Sequence, residues 1–175
     1  MREVLGVLVV VVVLAAYLWW TAHRVQRVHI RAASAGRALD QHLLRRAAAA
    51  AVVAEHAGHV ELYAAARLAL DAAPDDREEA ENDLSRQLAS VPLTAADPAT
   101  RALVATSRRV TLARQVHTDT VRDALRARRR PVVRVFGLAR RYPRPAYFDI
   151  VEPALPELTE LLIAQRSEPA AVEAA

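Results

Sequence analysis

The chain has 175 residues and a formal net charge of +4, so the distribution of its charge is more informative than the sum. It contains no cysteine and no lysine, and its 24 basic residues are therefore all arginine. These absences exclude disulfides, thiolate metal sites, cysteine nucleophiles and lysine Schiff bases. Abundant alanine with few glycines favours an all-α protein.

An unbroken apolar run from Val4 to Trp20 opens the chain, with aromatic rings at its end. Its length is near the lower limit for a helix that crosses a hydrocarbon core of about 30 Å. We therefore expect residues 1–3 to form a short extracytoplasmic N-terminus and residues 4–22 a transmembrane helix. A cleaved signal peptide is the alternative, but the first three residues have almost no positive excess and no clean cleavage site follows. A buried core helix would normally contain some polar residue, and this run contains none.

Charge on either side of the run predicts its orientation. Only Arg2 precedes it, offset by Glu3, whereas four arginines follow it: Arg24, Arg27, Arg31 and Arg37. The positive-inside rule places the N-terminus outside the inner (plasma) membrane and the rest of the chain in the cytoplasm. Each arginine at this edge gains about 1 kcal/mol beside anionic headgroups. The expected membrane-interface residues are Tyr17, Trp19, Trp20, Arg24 and Arg27.

The apolar helix is expected to continue into the cytoplasm. Apolar residues recur at three- and four-residue spacing from Val25 to Ala47, and Gly58 is the first plausible stop. A second helical region runs from Val60 to about Ala89 and is interrupted at Pro74. The sequence leaves open whether the chain kinks or turns fully there, and whether the main turn lies at Gly58 or at Pro74. Asp75 or Asp76, with Glu78 or Glu79, would form a capping box for the restart.

The third predicted helix begins at Asp97-Pro98, with Asp as the N-cap and Pro in the first turn, and ends before Pro131. Residues 132–150 are expected to form an irregular return with a brief helix, and residues 151–175 a short helix and a disordered acidic tail. Three segments of similar length predict an up-down-up antiparallel bundle over residues 24–150. In that arrangement the third helix runs parallel to the first.

Three blocks of the chain resemble the LemA family of bacterial membrane-anchored helical proteins. The first, RVQRVHIRAASAGRALDQHLLRR, ends in the Arg45-Arg46 pair. The second contains Ala66-Arg67 and ENDLSRQL, which begins at Glu81. The third is ARQVHTDTVRD with the later Pro131, Phe136-Gly137 and Tyr147-Phe148. His117-Thr118 stands where the family typically has Tyr-Asn, so the chain is similar to a divergent member. The resemblance implies a single-pass anchor, an antiparallel helical bundle facing the cytoplasm, and no established catalytic activity.

Arginines are densest near the end of the third helix and just after it. The interaction candidates are Arg126, Arg128, Arg129, Arg130, Arg134, Arg140 and Arg141, and Arg144 follows them. Such density can bind phosphates in lipid or nucleic acid. If the third helix runs parallel to the first, the arginines lie about 45 Å from the membrane, which disfavours lipid of the same membrane. We rank neutralisation by the acidic second helix and the glutamate-rich tail first, an acidic protein partner second, and RNA third.

Other candidate chemistry is weaker. His56 and His59 have metal-ligand residue types, but Gly58 separates them and no HExxH pattern is present, so a solvated helix end is the better interpretation. The acidic run that starts at Asp75 is typical of a helix N-terminus rather than a cation site. His117 is interpreted as a hydrogen-bonded core histidine. We therefore expect no metal, cofactor or small-molecule substrate.

Together these features predict a membrane-anchored, non-enzymatic helical bundle that acts as a scaffold or accessory interaction protein. Its expected partners are the lipid bilayer and another protein or a second copy of the chain. One alternative is an arginine-rich phosphate-binding surface for RNA or anionic lipid. The other is a metal-dependent hydrolase.

Overall fold

A computed structural model describes residues 1–94 and 96–150 of the chain. The predicted short helix and acidic tail of residues 151–175 lie outside the described residues. Five helices are described: α1 (Arg2–Ala57), α2 (Val60–Asp71), α3 (Arg77–Ser90), α4 (Pro98–Arg129) and α5 (Pro131–Val135). No strand occurs in this described part, and the prediction of an all-α protein is confirmed.

The first helix continues without a break from the apolar run into the polar part of the chain, as predicted. It spans 56 residues and ends at Ala57. Among the described helices α1 is the one that is long and apolar enough to cross a bilayer, and its most apolar stretch is only 6% buried. A core helix of a soluble protein would be mostly buried, so the exposure of this stretch argues against that interpretation.

Local signals end α1 and begin α4 where the sequence predicts. Gly58 has φ +68°, its N–H donates to the carbonyl oxygen of Glu55, and the next N–H, of His59, donates to that of Ala54. This pair of bonds is a Schellman motif, which needs a left-handed residue and therefore favours glycine. At the start of α4 the Asp97 carboxylate accepts hydrogen bonds from the backbone N–H groups of Ala99 and Thr100 at 3.2 and 3.1 Å. The predicted N-cap is therefore confirmed.

The chain turns fully near Pro74 and does not merely kink. Helix α2 ends at Asp71, α3 begins at Arg77, and the two short helices pack against each other. The prediction of a capping box is wrong, because Asp76 is the N-cap residue but makes no side-chain capping hydrogen bond. The Arg77 guanidinium instead donates to the carbonyl oxygen of Ala72 at 2.7 Å and ties α3 to the preceding turn.

The structure divides into two compact units, which are described separately. Unit 1 contains residues 1–37 and 116–147, and unit 2 contains the described residues from 38–115 and from 148 onward. The core of unit 2 consists mainly of small apolar side chains of α1, α2, α3 and α4, including Ala47, Ala66, Leu84 and Leu103. Unit 1 has a small core in which Val25 of α1 packs with Val133 and Ala139.

Within unit 1, α4 runs antiparallel to α1. His117 of α4 lies near Gly36 of α1, whereas Arg128, three turns later, contacts the earlier His29. The predicted parallel arrangement of the third helix is therefore wrong. The error comes from counting three segments: the full turn near Pro74 adds a fourth helix, and one extra reversal inverts the direction of everything that follows.

Candidate functional site

The seven candidate arginines all lie in unit 1, and one of them has a structural role. The Arg128 guanidinium donates to the carbonyl oxygens of Ala139 and Tyr142 at 3.1 and 3.0 Å, and its Nη1 lies 3.3 Å from Nε2 of His29. Nδ1 of His29 also lies 2.8 Å from the Val25 carbonyl oxygen, so the tautomer with its proton on Nδ1 would donate to Val25 and accept from Arg128 on Nε2. Arg128 therefore holds the segment after α5 against α1.

The other arginines differ in whether a carboxylate neutralises them. Arg122 lies 3.3 Å from Asp119, and Arg126 lies 3.8 Å from Asp123, both as exposed pairs one turn apart on α4. After Asp123 the sequence has no acidic residue until Asp149. We call residues 129–144 the basic segment. Its arginines are all exposed, and within the described residues none forms an ion pair: Arg129, Arg130, Arg134, Arg140, Arg141 and Arg144.

The basic segment lies beside the end of the apolar run. Val133 and Ala139 pack against Val25, and the ring of Tyr142 stacks on His29 with centroids 4.9 Å apart. Val25 follows Trp20 by five residues, which is about 7.5 Å of helix. The predicted separation of about 45 Å between the arginines and the apolar run is therefore wrong, and with it the argument against lipid of the same membrane. The cause is the antiparallel direction of α4.

The predicted interface residues form a continuous exposed patch around the end of the apolar run. Trp19 and Trp20 are 65% and 48% exposed, and the Arg24 guanidinium carbon lies 5.7 Å from the centre of the Trp20 ring. Arg27 is exposed one turn further along α1. The opposite face is covered: Thr21 is 5% and Val25 2% exposed. At the end of the apolar run, one face of α1 therefore packs inside unit 1, and the other face carries exposed aromatic rings and arginines.

A buried ion pair in unit 2 was not predicted. Arg46 and Glu81 are both 0% exposed in their side chains, and Nη2 of Arg46 donates to Oε2 of Glu81 and, at 3.1 Å, to the hydroxyl of Ser85. Nearby, Arg77 lies 3.1 Å from Asp40. The helical periodicity assigns Arg46 to a solvated face, because no local signal reveals a partner 35 residues away. Arg46, Glu81 and Ser85 all belong to the blocks on which the family resemblance rests.

The charges of this pair are incompletely satisfied. Nε and Nη1 of Arg46 and Oε1 of Glu81 are buried without a hydrogen-bond partner in the described structure. Burial raises the pKa of the Glu81 carboxyl above its usual value, and the Arg46 charge and hydrogen bond oppose that rise. The pair joins α1 to α3, and its complete burial leaves no access for a substrate.

A cavity of about 230 Å³ in unit 1 is lined by His29, His117, Val121 and Tyr142, with Arg144 and further apolar residues. His117 is buried as predicted, and its Nδ1 has no hydrogen-bond partner in the described residues, so this ring atom gives no support to the predicted hydrogen bond. Burial lowers the pKa of His117 because the charged imidazolium loses its hydration. Among the described residues, the cavity walls contain no carboxylate, serine or threonine.

The remaining candidate metal-ligating residues do not come together in one site. His56 lies in the last turn of α1 and His59 is the N-cap residue of α2, with Gly58 between them. Among the described residues no group of three or more His, Cys, Asp or Glu side chains is placed to hold a metal ion. In the acidic run, the Glu78 carboxylate accepts a hydrogen bond from the backbone N–H of Asp149 at 3.1 Å.

The chain matches no model of a known protein family, no curated protein and no solved structure.

Proposed function

We propose that this chain is a single-pass membrane protein whose helical part acts by interaction, as a scaffold or accessory subunit. The exposure of α1 carries this proposal. The large apolar side chains from Val4 to Trp20 that remain exposed keep between 48% and 72% of their surface. Exposed apolar surface is unfavourable in water by about 25 cal/mol per Å², and a bilayer removes that penalty. The aromatic rings at Tyr17, Trp19 and Trp20 suit the headgroup level.

The charge asymmetry supports an orientation with the N-terminus outside and the rest of the chain in the cytoplasm of a plasma membrane. Arg24 and Arg27 follow the run directly, and the exposed arginines of the basic segment lie on the same side of it. Positive residues close to the end of a span are the ones that determine its orientation. The resemblance to LemA proteins agrees with this topology and with a role that involves no catalysis.

The outer face of α2 supports an interaction role in unit 2. Val60, Tyr63 and Leu68 are 79%, 44% and 63% exposed, although the helix has only 12 residues. Their positions share one broad side of the helix, opposite to the buried Leu62, Ala65, Ala66 and Ala69. Exposed apolar side chains grouped on one element are typical of a surface that binds another protein or a second copy.

Membrane insertion and orientation are tested together. We expect the full-length chain to remain in the membrane pellet after alkaline carbonate washing. A green fluorescent protein fused to its C-terminus should be fluorescent, and an alkaline phosphatase fused there should be inactive. Release of the intact chain by carbonate, or an active phosphatase, would contradict the proposal.

The interaction role is tested with a photocrosslinking amino acid at Leu68, compared with the same group at Arg86, an exposed position on α3. In intact membranes we expect a discrete adduct from position 68 and not from position 86. Its mass distinguishes a second copy from another protein. Equal, diffuse labelling from both positions would remove the support for a scaffold.

A further inference from the structure

The basic segment is a compact element held in a fixed place. Pro131 occupies the first turn of α5, and Gly137, with φ +60°, closes it: its N–H donates to the Arg134 carbonyl oxygen, and that of Leu138 donates to the Val133 carbonyl oxygen. This is a second Schellman motif. The hydrogen bonds of Arg128 and the stacking of Tyr142 on His29 then fix the rest of the segment. Its position beside α1 is therefore determined by packing and hydrogen bonds.

The exposed side chains of this element have two kinds of chemistry. Six arginines are exposed and lack a carboxylate partner within the described residues, whereas Arg122 and Arg126 on α4 each have one. Between them, Val135 is 78% and Phe136 53% exposed. Surface elements that mix arginine with exposed apolar and aromatic residues are typical of segments that lie in a membrane interface, where the rings and aliphatic groups enter the acyl boundary and the charges meet phosphates.

Distance favours the membrane of the same chain. The packing site at Val25 is about 7.5 Å along α1 from Trp20. The headgroup layer of a bilayer is about 5–8 Å thick on each side, and electrostatic attraction to it decays over a Debye length of about 8 Å at physiological salt. The basic segment therefore lies within range of the headgroups from which α1 emerges. The cytoplasmic leaflet, where the charge asymmetry places it, is also the leaflet that is rich in anionic lipid.

We propose that the basic segment binds the phosphate headgroups of anionic phospholipids in the leaflet at which α1 leaves the membrane, with Val135 and Phe136 inserted at the acyl boundary. This inference rests on the proposed function, because it requires that α1 spans the bilayer. Each arginine near such a surface contributes about a fivefold preference for the bound state, so three of them account for about a hundredfold.

The absence of native cysteine allows a direct test with single spin labels on the full-length chain. The chain is placed in nanodiscs of phosphatidylcholine alone or with about one third phosphatidylglycerol. A nitroxide at Val135→Cys reports on contact with lipid through its accessibility to oxygen and to a water-soluble nickel complex. We expect lipid contact in the anionic discs, loss of that contact in the neutral discs, and its loss at 1 M salt, where the Debye length falls to about 3 Å.

Matched variants identify the residues responsible. Arg134→Gln, Arg140→Gln and Arg141→Gln together should return the label to water in anionic discs. Arg67→Gln, Arg86→Gln and Arg109→Gln together, which make the same charge change at exposed positions of unit 2, should not.

Several results would overturn the inference. Water accessibility at position 135 in both kinds of disc excludes binding, and equal lipid contact in both shows apolar adhesion without recognition of phosphate. Protection by an added RNA oligonucleotide in neutral discs, without any effect of phosphatidylglycerol, would assign the arginines to nucleic acid. A second label at Val10→Cys separates this inference from the proposed function. If it reports water, α1 does not span the bilayer. If it reports deep lipid while position 135 reports water in both kinds of disc, only the lipid-binding inference fails.

Discussion

Removing one partner of the Arg46–Glu81 pair should destabilise unit 2 strongly. Both side chains are 0% exposed, so Glu81→Leu leaves a guanidinium in the interior without its counter-charge. An arginine cannot escape by losing its proton. Breaking such a pair costs about 3–5 kcal/mol, a large part of the 5–15 kcal/mol that stabilises a typical domain. A unit of this size loses about 4–8 °C of Tm per kcal/mol, so we expect a fall in Tm of about 12 °C or more.

Removing the arginine of the pair instead should cost less free energy of unfolding, and that cost should depend on pH. In Arg46→Met the remaining group is a carboxyl, which can bind a proton and become neutral. Burial already raises the pKa of Glu81, and the loss of Arg46 raises it further because the charge that lowered it is gone. The penalty should therefore be smaller at pH 5 than at pH 8. The double variant, which combines Arg46→Met with Glu81→Leu, replaces both charges by apolar groups and should recover most of the loss.

Circular dichroism of the full-length chain in nanodiscs measures these changes through thermal unfolding. The control is Asp71→Ala, which breaks an exposed pair with Arg67 at 3.4 Å in the same unit. Exposed pairs four residues apart contribute about 0.3–0.5 kcal/mol, so its Tm should hardly move. If Glu81→Leu lowers Tm no more than Asp71→Ala does, the ion pair is not buried as described.

Two further predictions concern single positions. Gly58→Ala should destabilise the turn between α1 and α2 by about 1–2 kcal/mol, because the φ of Gly58 is +68°. Gly36→Ala, inside α1, should stabilise the chain by up to about 1 kcal/mol, because an added Cβ would meet only His117 at 3.6 Å. Urea unfolding of both variants measures the two changes in the free energy of unfolding, and changes of the same sign would contradict the prediction. For His117 the lowered pKa means that the unfolded chain binds more protons between that pKa and 6.5, so stability should fall as pH drops through this window. His117→Gln should remove that part of the pH dependence. If Tm changes from pH 7.5 to 5 in the same way in the variant and in the unaltered chain, the prediction is contradicted.

Local signals account for the parts of the fold that could be predicted. The apolar run, the glycine at position 58 and the Asp97-Pro98 pair each act through the nearest few residues, and α1, its end and the start of α4 follow from them. The sequence does not decide between a kink and a full turn near Pro74, because proline permits both. Only the packing of α2 on α3 decides between them, and periodicity does not encode which helices pack together.

The candidate site can be predicted only in part, because its distant contacts are not encoded locally either. The sequence identifies the arginines after α4, since composition alone reveals them. It cannot show that Arg128 is bonded to two carbonyl oxygens and a histidine while its neighbours are exposed, because those partners come from α1 and from residues up to 14 positions later. Arg46 and Glu81 illustrate the same limit. A charged residue in a helical pattern is assigned to solvent unless its distant partner is known.

The continuity of α1 has a consequence for the rotation of the chain about its own axis. Trp20 and the buried Val25 belong to one uninterrupted helix, in which each residue advances by about 100°. The number of residues between them therefore fixes the angle between the side of the helix that shows its indole rings and the side that enters the core. Inserting or deleting a single residue there would leave hydropathy unchanged but would turn the core-facing stripe by more than a quarter of a revolution. Selection on this stretch should accordingly tolerate the exchange of one apolar residue for another far better than a change of length.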